Sequence, residues 1–191
     1  ILQTNMSSYL KLGSETGGIF LLGVFGNSVQ VALYNVAFQM VKPLKVLQDN
    51  IQPALYPEIV KFHAEGNYGT LKSMVKKTTL SNVLVGGVSL GFAYLLIEPI
   101  LLLFTTEVYL GAIPVFMIIL STIYLTFISL CFYPLTVVMD QLKWRNFIVS
   151  IRFLFLGAVY IIGFTAVNVA WAQFLGSLTT RTFNDLPLYK K

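Results

Sequence analysis

The chain has 191 residues, 56% of them hydrophobic and 11% charged, with a formal net charge of +5. A soluble domain carries about 25% charged residues, so this balance, with a mean hydropathy of +0.75, argues against an ordinary soluble enzyme and for an all-α integral membrane protein. The basic residues stand at the ends of apolar runs rather than in one patch, which excludes a nucleic-acid-binding surface, and the single cysteine, Cys131, excludes a disulfide framework.

Apolar runs fall at about 8–25, 29–60, 78–104, 109–139, 146–168 and 169–183, and each reads as a helix. In the first, Ser7, Lys11, Ser14, Glu15 and Gly18 share a face, and Lys11 and Glu15 are an i, i+4 pair able to neutralise one another. The second run has 32 residues, roughly 48 Å of helix against a hydrocarbon core of about 30 Å. Its end therefore projects into water, and Pro43, Pro53 and Pro57 are expected to bend it.

Along that second helix Asn35, Gln39, Lys42, Lys45, Asp49 and Gln52 recur at helical spacing and form a polar stripe with a cationic middle. A charge at the centre of a membrane helix costs about 2.5 to 3.5 kcal/mol, so such residues face a bundle interior or a wet cavity. Lysine excess in that setting attracts anions; alternatively, Lys45 snorkels to the headgroups or pairs with Asp49 as packing glue.

The connection at 61–77 carries Lys61, Lys72, Lys76 and Lys77, with His63 as a solvated loop residue and no metal site near it. The third run has a Gly86–Gly87 pair suited to close packing, and Glu98 before Pro99 near its outer end. The fourth holds Cys131, read as a buried structural thiol, and Arg152 in the fifth reads as a snorkelling anchor. The sixth, 15 residues containing Arg181, is the least apolar.

Loop charge orients these helices, because Lys and Arg are retained on the cytoplasmic side. Basic connections at 61–77 and 140–145 and the tail with Arg181, Lys190 and Lys191 alternate with connections at 26–28, 105–111 and 166–172 that contain no Lys or Arg. Six spans with both ends cytoplasmic satisfy this alternation, giving a multi-pass protein of the cytoplasmic (inner) membrane. No signal peptide opens the chain and Ile1 stands where a start methionine is expected, so the chain reads as one piece of a larger protein.

No long outward loop, catalytic constellation or Gly-rich phosphate loop is present, so no enzyme activity and no catalytic residue is expected. A polytopic membrane enzyme acting on lipid-linked sugars is the alternative from another class, and the short outward loops disfavour it.

The stretch from Tyr9 to Asn67, with its intramembrane Lys and acid, the turn "FGNSVQVALYNVA" and the exit "QPALYPEIVKFHAEGN", resembles the polysaccharide-type flippases of the MOP (MATE-like) superfamily, as does the following "EVYLGAIPVF". That resemblance implies two six-helix lobes around a central cavity, of which residues 1–191 are the second, the first lobe being missing. It implies export of a lipid-linked oligosaccharide, such as an O-antigen unit for lipopolysaccharide or polysaccharide biosynthesis, by alternating access. Lys11, Lys42 and Lys45, with Asn35 and Gln39, would then line the substrate cavity, and Glu15 and Asp49 would balance charge or couple to a H⁺ or Na⁺ gradient. No organic cofactor or metal is expected; the partners are the lipid-linked oligosaccharide, membrane lipids and the missing lobe. A multidrug exporter or a peptidoglycan lipid precursor flippase of the same superfamily is the alternative, and the lysine-rich stripe argues against the drug exporter.

Overall fold

The computed structural model describes residues 2–104 and 107–185. They are all-helical, with α1 Leu2–Phe25, α2 Ser28–Ala64, α3 Tyr68–Phe104, a 3₁₀ turn Glu107–Ala112, α4 Ile113–Ile128, α5 Phe132–Val138, α6 Leu142–Ile162 and α7 Ala166–Asp185.

Three expected boundaries are corrected. The basic connection at 61–77 shrinks to a turn at 65–67, and Lys72, Lys76 and Lys77 ride on the first turns of α3. Gly66, in the left-handed region at φ 66°, ends the run of α2, and the Asn67 carboxamide oxygen accepts from Thr70 N at 3.2 Å to start α3. Hydropathy falls at this point, yet nothing in 68–77 breaks the helix. Leu71 in the first turn of α3 is buried with Ile59, Cys131 and Leu135, which anchors the extension and confirms Cys131 as a buried thiol.

The expected helix at 109–139 is broken into the 3₁₀ turn, α4 and α5. Pro114 sits in the first turn of α4, where its missing N–H costs nothing. Pro134 lacks the N–H that would reach the Leu130 carbonyl and its ring crowds that group, which favours the observed break at 129–131.

The expected junction at 168–169 lies instead at 163–165, and "AVNVAWA" forms the first turns of α7 rather than a loop. Gly163 stops α6 at φ 116° and ψ 145°, a conformation open to glycine alone. Three bonds then fasten the new helix: Asn168 Nδ2 donates to Gly163 O at 3.0 Å, Asn168 N donates to Thr165 Oγ1 at 3.2 Å, and Ala166 N donates to Gln30 Oε1 of α2 at 2.7 Å. The least apolar run thus becomes a full helix of 20 residues. α2 itself runs unbroken through Pro43, Pro53 and Pro57.

The main core is built from Leu22 of α1, Tyr34, Ala37 and Val41 of α2, Val115 of α4 and Val169 of α7, with further apolar groups around them. α6 packs most extensively on α7 and also on α1; α4 packs on α7, α2 and α3.

Two segments are long and apolar enough to cross a membrane, Tyr68–Leu103 and Glu107–Ile128. Only 6% of the apolar window in the first is buried, whereas the core helix of a soluble protein would be mostly covered; Leu84, Val88, Phe92 and Leu95 project from α3 instead. This surface suggests membrane association. Six spans were expected by hydropathy; among the described residues two segments meet the criterion, and six are not shown.

Candidate functional site

A cavity of about 300 Å³ lies among α2, α4, α5, α6 and α7. Its apolar end is formed by Phe38, Ile119 and Leu156, and is closed by a polar tie: Tyr34 donates its hydroxyl to Gln173 Oε1 at 2.7 Å. Gly18 of α1 backs this tie so closely that a Cβ there would stand 2.7 Å from Val169 Cγ1 and 2.8 Å from Gln173 Nε2. A glycine is therefore required for α1 to seat against α7.

Toward the other end the walls become charged. Lys45, Asp49 and Gln52 face inward from α2, Arg145 and Arg152 from α6, and Arg181 from α7. Among the described residues four cationic side chains thus share the cavity with one carboxylate, and no group of three His, Cys, Asp or Glu stands close enough to hold a metal ion.

Three of these cations are held in different ways. Arg152 donates from Nε to Thr180 Oγ1 at 2.8 Å, and that hydroxyl donates onward to Gly176 O at 2.7 Å. The aliphatic stem of Arg152 lies against Gly176, where a Cβ would come within 2.9 Å of its Cγ. Lys45 Nζ lies 5.9 Å from the centroid of the Phe38 ring, and the Arg145 guanidinium lies 4.4 Å over Tyr133, both within cation–π range. Arg145 Nη1 is buried and has no hydrogen-bond partner among the described residues, as is true of Gln141 Oε1 one turn before it. A buried polar atom left unpaired costs about 1 to 3 kcal/mol, and more when charged.

The α4 wall contributes hydroxyls that are already used. Thr122 and Thr126 donate to the carbonyls of Ile118 and Thr122 at 2.9 and 2.8 Å, and Ser129 donates to Leu125 O. What this wall offers a ligand is shape, apolar contact and hydroxyl oxygens able to accept, while the charge comes from α2, α6 and α7.

Of the residues expected from sequence, Lys45 and Asp49 line the cavity together. Asn35, Gln39 and Lys42 do not: all three are exposed on the neighbouring face of α2. At about 100° per residue, the buried row Tyr34, Val41 and Gln48 points inward with Lys45 and Gln52, and Asn35, Gln39 and Lys42 fall to one side of it. The side chains of Lys11 and Glu15 lie outside the described ones, although the backbone of both belongs to α1. His63, expected in a solvated loop, lies instead in the last turn of α2, half-buried with its ring edge-on to that of Tyr68 at 5.7 Å, and Glu98 is exposed on α3.

Sequence reasoning missed Arg145, Arg152 and Arg181 as cavity residues. Arg145 reads as a loop charge and Arg152 as a snorkelling anchor, yet the spacing of Arg145, Val149, Arg152 and Leu156 is that of a single helix face, and all four line the cavity. On α7 the inward face likewise joins Gln173, Ser177, Thr180 and Arg181. Compared with protein-family models, with curated proteins and with solved structures, the chain matches none of them.

Proposed function

We propose that this chain is a six-span membrane lobe of a polysaccharide-type flippase, which moves a lipid-linked oligosaccharide across the cytoplasmic membrane by alternating access together with a second lobe. One observation carries the reading: among the described residues, four cationic side chains and one carboxylate gather in a cavity inside a bundle with a broad apolar exterior. Charges in such a place are costly and are retained where an ion or substrate passes, and their sign selects an anionic cargo such as the diphosphate of a lipid-linked sugar. In this reading the exposed Asn35, Gln39 and Lys42 face the second lobe, and Asp49 balances the cations or couples to an ion gradient.

The cation excess also disfavours the multidrug exporter, whose cargo is itself cationic. The test is translocation of a labelled lipid-linked oligosaccharide in vesicles containing the protein expressed from its complete reading frame. Transport that falls at least tenfold in the Lys45→Ala, Arg152→Ala double variant is expected. Absence of transport, or transport indifferent to both substitutions, would rule the reading out.

A further inference from the structure

From Tyr68 to Ile97, α3 carries Lys72, Lys76 and Lys77, all exposed, and no acid. α2 brings Lys61 to the same end together with Glu58 and Glu65, so the cation excess there is that of α3. Beyond the lysines Leu80, Leu84, Val88, Phe92 and Leu95 project, and the next charge along the helix is Glu98. At 1.5 Å per residue Leu80 and Glu98 stand about 27 Å apart, close to the roughly 30 Å of a hydrocarbon core. Lys76 then lies about 6 Å outside Leu80, at the depth of lipid head groups. Counted in sevens, Lys72 falls in line with Gly86 and Lys76 with Leu90, whereas Lys77 falls on the opposite flank.

Gly86 and Leu90 line a groove between α2, α3 and α4, and its lip is formed by the exposed Leu44, Leu47 and Val85. Gly86 is required for that shape, because a Cβ there would strike the Tyr124 ring. The polar side chains of the groove are spent on the protein: Ser89 donates to Val85 O at 2.8 Å and Tyr124 to Val83 O at 3.1 Å. What remains is a hydrocarbon wall. Its volume of about 90 Å³ is well below the roughly 300 Å³ at which ordinary ligand pockets begin, too small for a sugar unit and suited to a length of acyl chain. The groove lies about 8 to 15 Å inside Leu80, in the same half of the apolar layer as the lysine end.

We infer that α3 carries a site for one anionic glycerophospholipid: Lys72 and Lys76 hold its phosphate at the membrane surface, and the groove seats the adjoining acyl chain. Lysines beside a membrane helix attract anionic head groups, about fivefold in binding for each. The groove turns that diffuse attraction into a single place. The inference goes beyond the proposed transport, uses none of the charged residues of the larger cavity, and rests only on α3 lying in a bilayer.

The test titrates the full chain in non-ionic detergent with dioleoylphosphatidylglycerol and dioleoylphosphatidylcholine, which share acyl chains and differ in head-group charge, and counts bound lipid by native mass spectrometry. Phosphatidylglycerol is expected to bind at least fivefold more tightly. The Lys72→Gln, Lys76→Gln double variant should bind the two lipids alike, and Lys77→Gln should keep the preference. Ser89→Phe, which fills the groove, should weaken both lipids at least fivefold. Melting temperature verifies that each variant is folded, and Ser89→Leu substitutes if Ser89→Phe is not. Equal binding of the two lipids by the parent chain overturns the site, as does a loss from Lys77→Gln equal to that of the double variant, or a filled groove without effect. Displacement of phosphatidylglycerol by an equimolar polyprenyl monophosphate also overturns it, assigning the groove to a transported lipid. Lipid binding as expected without oligosaccharide translocation removes the flippase reading and leaves this site, whereas translocation without the lipid preference does the reverse.

Discussion

At the residue scale the structure turns on contacts that tolerate little substitution. Gly176 admits the stem of Arg152, and an added Cβ would also approach Arg152 Cα to 3.3 Å, so the neighbour cannot move aside by rotating its far end. Gly176→Val should lower stability by about 1 to 3 kcal/mol through overpacking, visible as a lower melting temperature in detergent. At the other end of the cavity, Tyr34→Phe removes the donor to Gln173 Oε1. About 0.5 to 1.5 kcal/mol of destabilisation is expected, measured by the same melt, and a Tyr34→Phe, Gln173→Leu double variant should lose less than the sum of the two single changes. Lys45 and Asp49 were legible as cavity residues because charges repeated along one face of a largely apolar helix are costly to leave against an apolar surface. Arg145 and Arg152 were not, since an arginine near a helix start satisfies the snorkelling rule equally well until the neighbouring helices are in place.

At the scale of the elements, what was legible is the helical class and the approximate position of most apolar runs, all of which follow from periodicity and hydropathy. The breaks were not, because hydropathy is blind to backbone geometry. Pro134 and Gly163 divide stretches that are continuously apolar, while 68–77 continues a helix that hydropathy would end. Phase was hidden for a related reason: spacing shows that Asn35, Gln39 and Lys42 share a face, but only the packing of α2 on α4, α5 and α1 decides which face is covered. Gly163 offers a direct check. At φ 116° any side chain is strained, so Gly163→Ala should cost on the order of 1 to 3 kcal/mol and release the α7 start, reducing protection of the Ala166 and Asn168 amides in hydrogen exchange. Gln30→Ala, which removes the acceptor for Ala166 N, should reduce the same protection without affecting α6; unchanged exchange in both variants would contradict the strut between α2 and α7.

For the whole molecule, the helix order puts the turn at 65–67 and the turn at 140–141 on one side of the proposed membrane lobe and the turn at 163–165 on the other. Single cysteines introduced at Asn67 and Thr165, both exposed, in a Cys131→Ser background should therefore react with a membrane-impermeant thiol reagent from opposite faces of oriented vesicles. Labelling of both from one face would refute six spans. The account as a whole stands on the sign of the potential inside the cavity, where, among the described residues, Lys45, Arg145, Arg152 and Arg181 outnumber Asp49. Gln52→Cys, in the same background, reports on it directly through the rates of modification by an anionic and a cationic methanethiosulfonate in the vesicle-embedded protein. A cationic cavity concentrates the anionic reagent and should make its rate, corrected for intrinsic reactivity, faster by roughly tenfold or more at low ionic strength. Equal corrected rates, or a faster cationic reagent, would contradict an anion-accepting cavity.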